Sequence, residues 1–97
     1  MLSRDKIIKT IQENTAQIRL YGVRKMGIFG SFAKTNQNPK SDIDVLVEFD
    51  RGNKTFDNYM ELKFYLEKLF HRKVDLVIKD ALKTSIKNRV LAEVKYA

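Results

Sequence analysis

Apolar residues recur along this chain with two different periods, and the two periods alternate. From Arg4 to about Leu20 the spacing is helical. Ile7, Ile8, Ile11 and Ile18 form one stripe, with Ala16 near it and Lys, Gln and Glu elsewhere. Ser3 reads as the N-cap, Asp5 suits the first turn, and Gly22 after Tyr21 reads as the stop. Val23 to Phe29 then reads as a strand carrying Met26 and Ile28, although Gly27 and the following Gly30 weaken it and ask for a reason. Ser31 reads as the cap of a short helix, Phe32-Ala33-Lys34. The stretch from Lys34 to Lys40, holding the only proline, reads as loop.

The alternation resumes at Ser41. Ser41 to Phe49 predicts a second strand with Ile43, Val45 and Val47 on one face and Asp42, Asp44, Leu46 and Glu48 on the other. A turn at Asp50–Asn53 leads into a helix that starts between Asn53 and Asn58 and ends near Phe70. Phe56, Tyr59, Leu62, Leu66, Leu69 and Phe70 form its broad apolar face, expected in the core. Lys73 to Ile78 predicts a third strand, and Asp80 to Lys95 a last helix with Leu82, Ile86, Val90 and Val94 along one side. The expected fold class is α/β (α+β): a small mixed sheet with helices packed on one face. Residues 1–97 make a single domain with one modest core and no room for a second substrate-binding domain.

Charge changes this picture by its distribution. The formal net charge is +7. Residues 1–41 carry eight Lys/Arg against two acids, residues 42–70 four against seven, and residues 71–97 seven against three. The acids gather at and after Asp42 inside an otherwise basic chain. A basic surface draws nucleotides, nucleic acid or an acidic protein, and does not choose among them. There is no cysteine, so no disulfide or zinc-thiolate site supports the fold, which fits a cytoplasmic protein. No apolar run reaches the ~18 residues of a membrane span, and no signal-peptide core opens the chain.

Candidate chemistry gathers around the second strand. Asp42 and Asp44 share a face, roughly 6.6–6.8 Å apart along it, a spacing that lets two carboxylates hold a hard divalent cation between them. Gly30-Ser31 makes a tight entry into a helix, where free N–H groups favour phosphate. Asp75 is an acid in mid-strand, which propensity disfavours, and its unpaired burial would cost several kcal/mol. If the third strand lies beside the second, Asp75 completes a carboxylate cluster. A phosphate cradle close to an acid pair points to metal-assisted phosphoryl or nucleotidyl chemistry. The only histidine, His71, sits beside Arg72 and Lys73 at a helix end, where a favourable charge position accounts for it.

Gly30-Ser31, Ser41-Asp42-Ile43-Asp44 and Val74-Asp75-Leu76-Val77 together resemble the nucleotidyltransferase superfamily with the DNA polymerase β-like palm. More narrowly, the chain resembles the minimal nucleotidyltransferases, the MntA-type antitoxins encoded beside HEPN-domain toxins. The resemblance implies that Gly30, Ser31 and Lys34 bind the nucleotide's phosphates. It implies that Asp42, Asp44 and Asp75 bind Mg²⁺, with two ions, and that Asp75 helps activate the acceptor hydroxyl. ATP is the implied substrate, and a tyrosine hydroxyl of a HEPN-domain toxin the implied acceptor of AMP. Many relatives carry Arg-Gly after Gly-Ser where this chain has Lys34-Thr35. Lysine keeps the charge and loses the bidentate fork. Larger relatives grip their acceptor with extra domains, so here a protein acceptor would bring its own surface. The alternatives are an inactive antitoxin that masks its toxin by binding, and a small-molecule nucleotidyltransferase. No helix-turn-helix spacing or aromatic RNA-binding strand favours nucleic acid as the main partner.

Overall fold

The computed structural model describes residues 2–33 and 41–97. Helix α1 spans Arg4–Glu13, and the Ser3 hydroxyl caps it by accepting the Lys6 N–H at 3.2 Å. The single helix expected to Leu20 is instead two, because Asn14 leaves helical geometry at φ −112°, ψ 19°. Its amide donates to the Thr10 carbonyl at 2.8 Å, and its side-chain oxygen accepts the Tyr65 hydroxyl at 3.2 Å. Asparagine competes for backbone hydrogen bonds in this way, and a helix-period stripe does not reveal it. Helix α2, Thr15–Arg19, then carries Ile18 into the core and leaves Ala16 exposed.

Strand β1 is Val23–Phe29, helix α3 Gly30–Ala33 and strand β2 Ile43–Phe49. Helix α4 is Phe56–Phe70, strand β3 Val74–Ile78, helix α5 Thr84–Glu93 and strand β4 Lys95–Tyr96, with a 3₁₀ turn at Lys79–Ala81 before α5. The sheet order is β3-β2-β1-β4; β1 runs antiparallel to β2 and β4, and β2 parallel to β3. This is the mixed sheet expected. β4 is unexpected: the last helix stops at Glu93, and Tyr96 and Lys95 pair with Gly27 and Ile28. That pairing explains Gly27, because a Cβ there would lie 2.8 Å from Val94 Cγ2 and 2.9 Å from the Lys95 carbonyl oxygen.

One face of the sheet carries the main core. Ile7, Ile11 and Ile18 meet Leu62, Leu66 and Phe70 over Ile28, Val45 and Val47. Helices on one face therefore hold for α1, α2 and α4, and α5 is the exception. Its Val90 is buried together with Leu46, and both stand apart from the main core cluster, on the face that carries Asp44. Phe56, expected in the core, is 77% exposed, because α4 begins there with Thr55 as N-cap and its first turn reaches past the sheet. His71 closes α4 in the left-handed region at φ 54°. Among the described residues no helix is long and apolar enough to cross a membrane.

Candidate active site

The site forms where β1 ends, β2 begins and β3 runs beside it. Phe29 of β1 pairs with Asp44 of β2, and Asp44 pairs with Asp75 of β3. The parallel β2–β3 register thus supplies the adjacency that the sequence left open, and it sets two carboxylates side by side on one face. Gly30 turns the chain from β1 into α3 at φ 71°. A side chain at Gly30 would collide with the Asp44 carboxylate, so glycine serves here for both backbone conformation and space. Behind the turn, Phe32 and Ala33 are buried. Arg4 donates to the Ala33 carbonyl at 3.3 Å, and the Arg72 guanidinium lies over the Phe32 ring while donating to the Ser41 carbonyl at 3.3 Å. These contacts fix both the turn and the head of β2.

The electrostatics follow from this crowding. Asp44 is half-buried, whereas Asp42 and Asp75 are exposed. Burial pushes the Asp44 pKa from its ordinary 3.8 up to about 6, with further upward contributions from the charges of Asp75 and Asp42 and a hydrogen bond to Asp75. Burial and then the charge of Asp75 also push the Tyr59 hydroxyl upward.

Two clefts meet at Asp75. One, of about 510 Å³, is lined by Gly30, Ser31, Asp44 and Asp75 and, from α5, by Ile86, Arg89 and Glu93. The second, of about 660 Å³, runs along the outer edge of β3 past Asp42, Tyr59, Lys63 and Arg72. Along that edge Tyr59 donates to the Leu76 carbonyl at 2.6 Å, and Glu67 accepts the Val74 N–H at 3.0 Å, so side chains of α4 close backbone groups that no further strand pairs.

The structure brings Gly30, Ser31, Asp44 and Asp75 to one cleft, and places Asp42 just ahead of β2 on the neighbouring one. α3 starts at Gly30 rather than with Ser31 as its cap. Lys34, with the rest of the expected loop to Lys40, lies outside the described residues. Among the described residues no three acidic or histidine side chains converge into a ready-made metal cage. The donor set still suits Mg²⁺, which is commonly held by one or two carboxylates and completed by substrate phosphates and water. The contributions of α5 and of the β3 edge had no local signal, because Arg89, Tyr59 and Glu67 gain these positions only through helix packing.

A β-strand turning through Gly-Ser into a helix, beside two carboxylates paired across parallel strands, is the framework of a nucleotidyl-transferring enzyme. The nucleotidyltransferase domain profile matches residues 5–97, and the chain belongs to that family. It is 37% identical over 97 residues to the protein adenylyltransferase MntA of Thermococcus cleftensis, covering 99% of this chain and 97% of that one. A solved structure described as a proposed minimal nucleotidyltransferase superposes with a TM-score of 0.84 at 26% identity, covering 97% of this chain and 95% of that one. A toxin–antitoxin crystal structure with AMP-PNP matches with a TM-score of 0.70 at 26% identity, covering 98% of this chain and 72% of that one.

Proposed function

We propose that this nucleotidyltransferase moves AMP from ATP to a hydroxyl of a protein partner, a tyrosine of a HEPN-domain toxin, and so acts as the antitoxin of a toxin–antitoxin pair. One observation carries the reading. Gly30-Ser31, Asp44 and Asp75 share a cleft, in a chain that matches a protein adenylyltransferase over nearly its whole length. ATP and Mg²⁺ are cytoplasmic reagents, and the reaction belongs in that compartment.

In this reading Gly30 and Ser31 hold the polyphosphate, with Lys34 reaching it from the loop. Asp42, Asp44 and Asp75 would hold Mg²⁺, two ions in this reading, and the metal would supply positive charge to stabilise the oxygens of the displacement. Asp75 stands where the two clefts meet and accepts the proton of the acceptor hydroxyl. That oxygen forms a bond to the α-phosphorus as the bond to the bridging oxygen breaks, and pyrophosphate leaves on the opposite side. Half-burial of Asp44 excludes water from the carboxylate nearest the Gly30 turn and strengthens its hold on a cation.

The test mixes the chain with α-labelled ATP, Mg²⁺ and the protein encoded beside it, with Asp44→Asn in parallel. Label on the partner that disappears in the variant is the expected result. A stable complex without label in either sample would replace transfer with steric masking.

A further inference from the structure

Among the described residues Arg89 is the one basic side chain on the cleft that Gly30, Ser31, Asp44 and Asp75 line, and sequence pattern gave it no role. Its position follows from packing. Val90, its neighbour, is 4% exposed and anchors α5 on the Asp44 face of the sheet, where Leu46 is also buried. With Val90 turned inward, Arg89 lies at the cleft wall, about one turn beyond Ile86, which lines the same wall and is 44% exposed. Among the described residues Arg89 forms no hydrogen bond or ion pair, although Asp44 and Asp75 line the same cleft.

Asp44 and Asp75 from the sheet and Arg89 from α5 share this cleft, with Glu93, which has a partner of its own, one turn further along α5. The cleft thus carries an acidic and a basic pole. The acidic pole suits a divalent cation and the basic pole an anion, and a metal-bound polyphosphate presents both charges a few ångströms apart. A surface arginine held only by solvation would gain nothing from this position. We propose that Arg89 is a nucleotide-binding residue: its guanidinium grips the polyphosphate of ATP from α5, in the cleft that it shares with the Gly30-Ser31 turn. Arg89 thereby supplies the planar fork that Lys34 cannot. Ile86 offers the adjoining apolar surface for the base. The inference rests on the cleft being the nucleotide site, and it assigns α5 to substrate binding as well as to packing.

The test measures binding of AMP-PNP with Mg²⁺ by calorimetry, without any acceptor, for the wild type, Arg89→Ala, Arg89→Lys and Lys87→Ala. Arg89→Ala is expected to weaken binding by roughly tenfold or more, the loss of a charge-assisted fork. Arg89→Lys falls between, and Lys87→Ala, which removes the same charge from α5 off the cleft, stays within about twofold of wild type. Equal affinities for Arg89→Ala and Lys87→Ala would overturn the assignment of Arg89 and leave the adenylyl-transfer reading standing. No binding by the wild type would overturn both. Melting temperatures of the nucleotide-free variants check folding. In a transfer assay the Arg89→Ala defect should appear in KM for ATP, with KM for the acceptor unchanged.

Discussion

Asp44 is the residue on which stability and chemistry oppose each other. Its pKa is raised to about 6, so the folded chain binds its proton more tightly than the unfolded chain does. The stabilising contribution is complete below the ordinary 3.8 and is lost as pH rises through about 6. The metal-free protein should therefore lose melting temperature between pH 4 and 7 relative to Asp44→Asn, in which this slope is absent. A thermal scan of both proteins in chelator across that range checks it, and parallel curves would contradict the burial argument. Transfer activity runs the other way, because a cation needs the ionised carboxylate and competes with its proton. At limiting Mg²⁺ the rate should fall as the pH drops through about 6, and saturating Mg²⁺ should move that fall to lower pH. Asp44→Asn should lower transfer by more than roughly a hundredfold, the loss that outer-shell partners of metal sites already reach. The acid pair was legible in the sequence as a departure from the apolar pattern. That Asp44 is the half-buried member and Asp42 an exposed one was not, because burial depends on the neighbouring strands.

Among the elements, the β1–α3 turn couples fold to site most tightly. Gly30→Ala must accommodate φ 71° and displace the Asp44 carboxylate. It should destabilise the chain by more than about 1 kcal/mol and remove transfer as well, read by denaturant melts and by the labelled-ATP assay. Gly27 answers to a different element. Gly27→Val should dislodge β4, exposing the amides of Lys95 and Ala97 to hydrogen exchange while the site geometry survives. The helical stretch that α1 and α2 share, helices α4 and α5 and strands β1 to β3 were legible to within a few residues, because period and caps act locally. The break at Asn14 and the pairing of β4 were not. The first depends on Tyr65 reaching across from α4, the second on a two-residue segment too short to carry a period.

At the scale of the molecule, one core under the sheet holds a site that opens on the other face. Phe32 is fully buried behind the Gly30 turn, so Phe32→Ala should cost roughly 3–5 kcal/mol. Its loss of activity should then track its loss of fold, unlike that of Asp44→Asn. Ligand linkage offers a converse check. Mg²⁺ and ATP together at a hundred times their dissociation constant should stabilise the chain by about 2.7 kcal/mol. Asp44→Asn and excess chelator should each abolish the shift in a thermal melt. A shift that survives chelation would mean that the nucleotide binds without the carboxylates.

The sequence by itself determined the alternation of helices and strands, the Gly30-Ser31 turn and the identity of the acids. These features depend on side-chain period, on backbone freedom at glycine and on the misfit of Asp in an apolar strand, all local properties. Only the tertiary structure decided which residues face one another. The parallel register sets Asp44 against Asp75, α5 crosses to the site face through Val90, and Arg89 comes to the cleft that Gly30 lines. Those placements join residues dozens of positions apart through sheet order and packing, which no local pattern encodes.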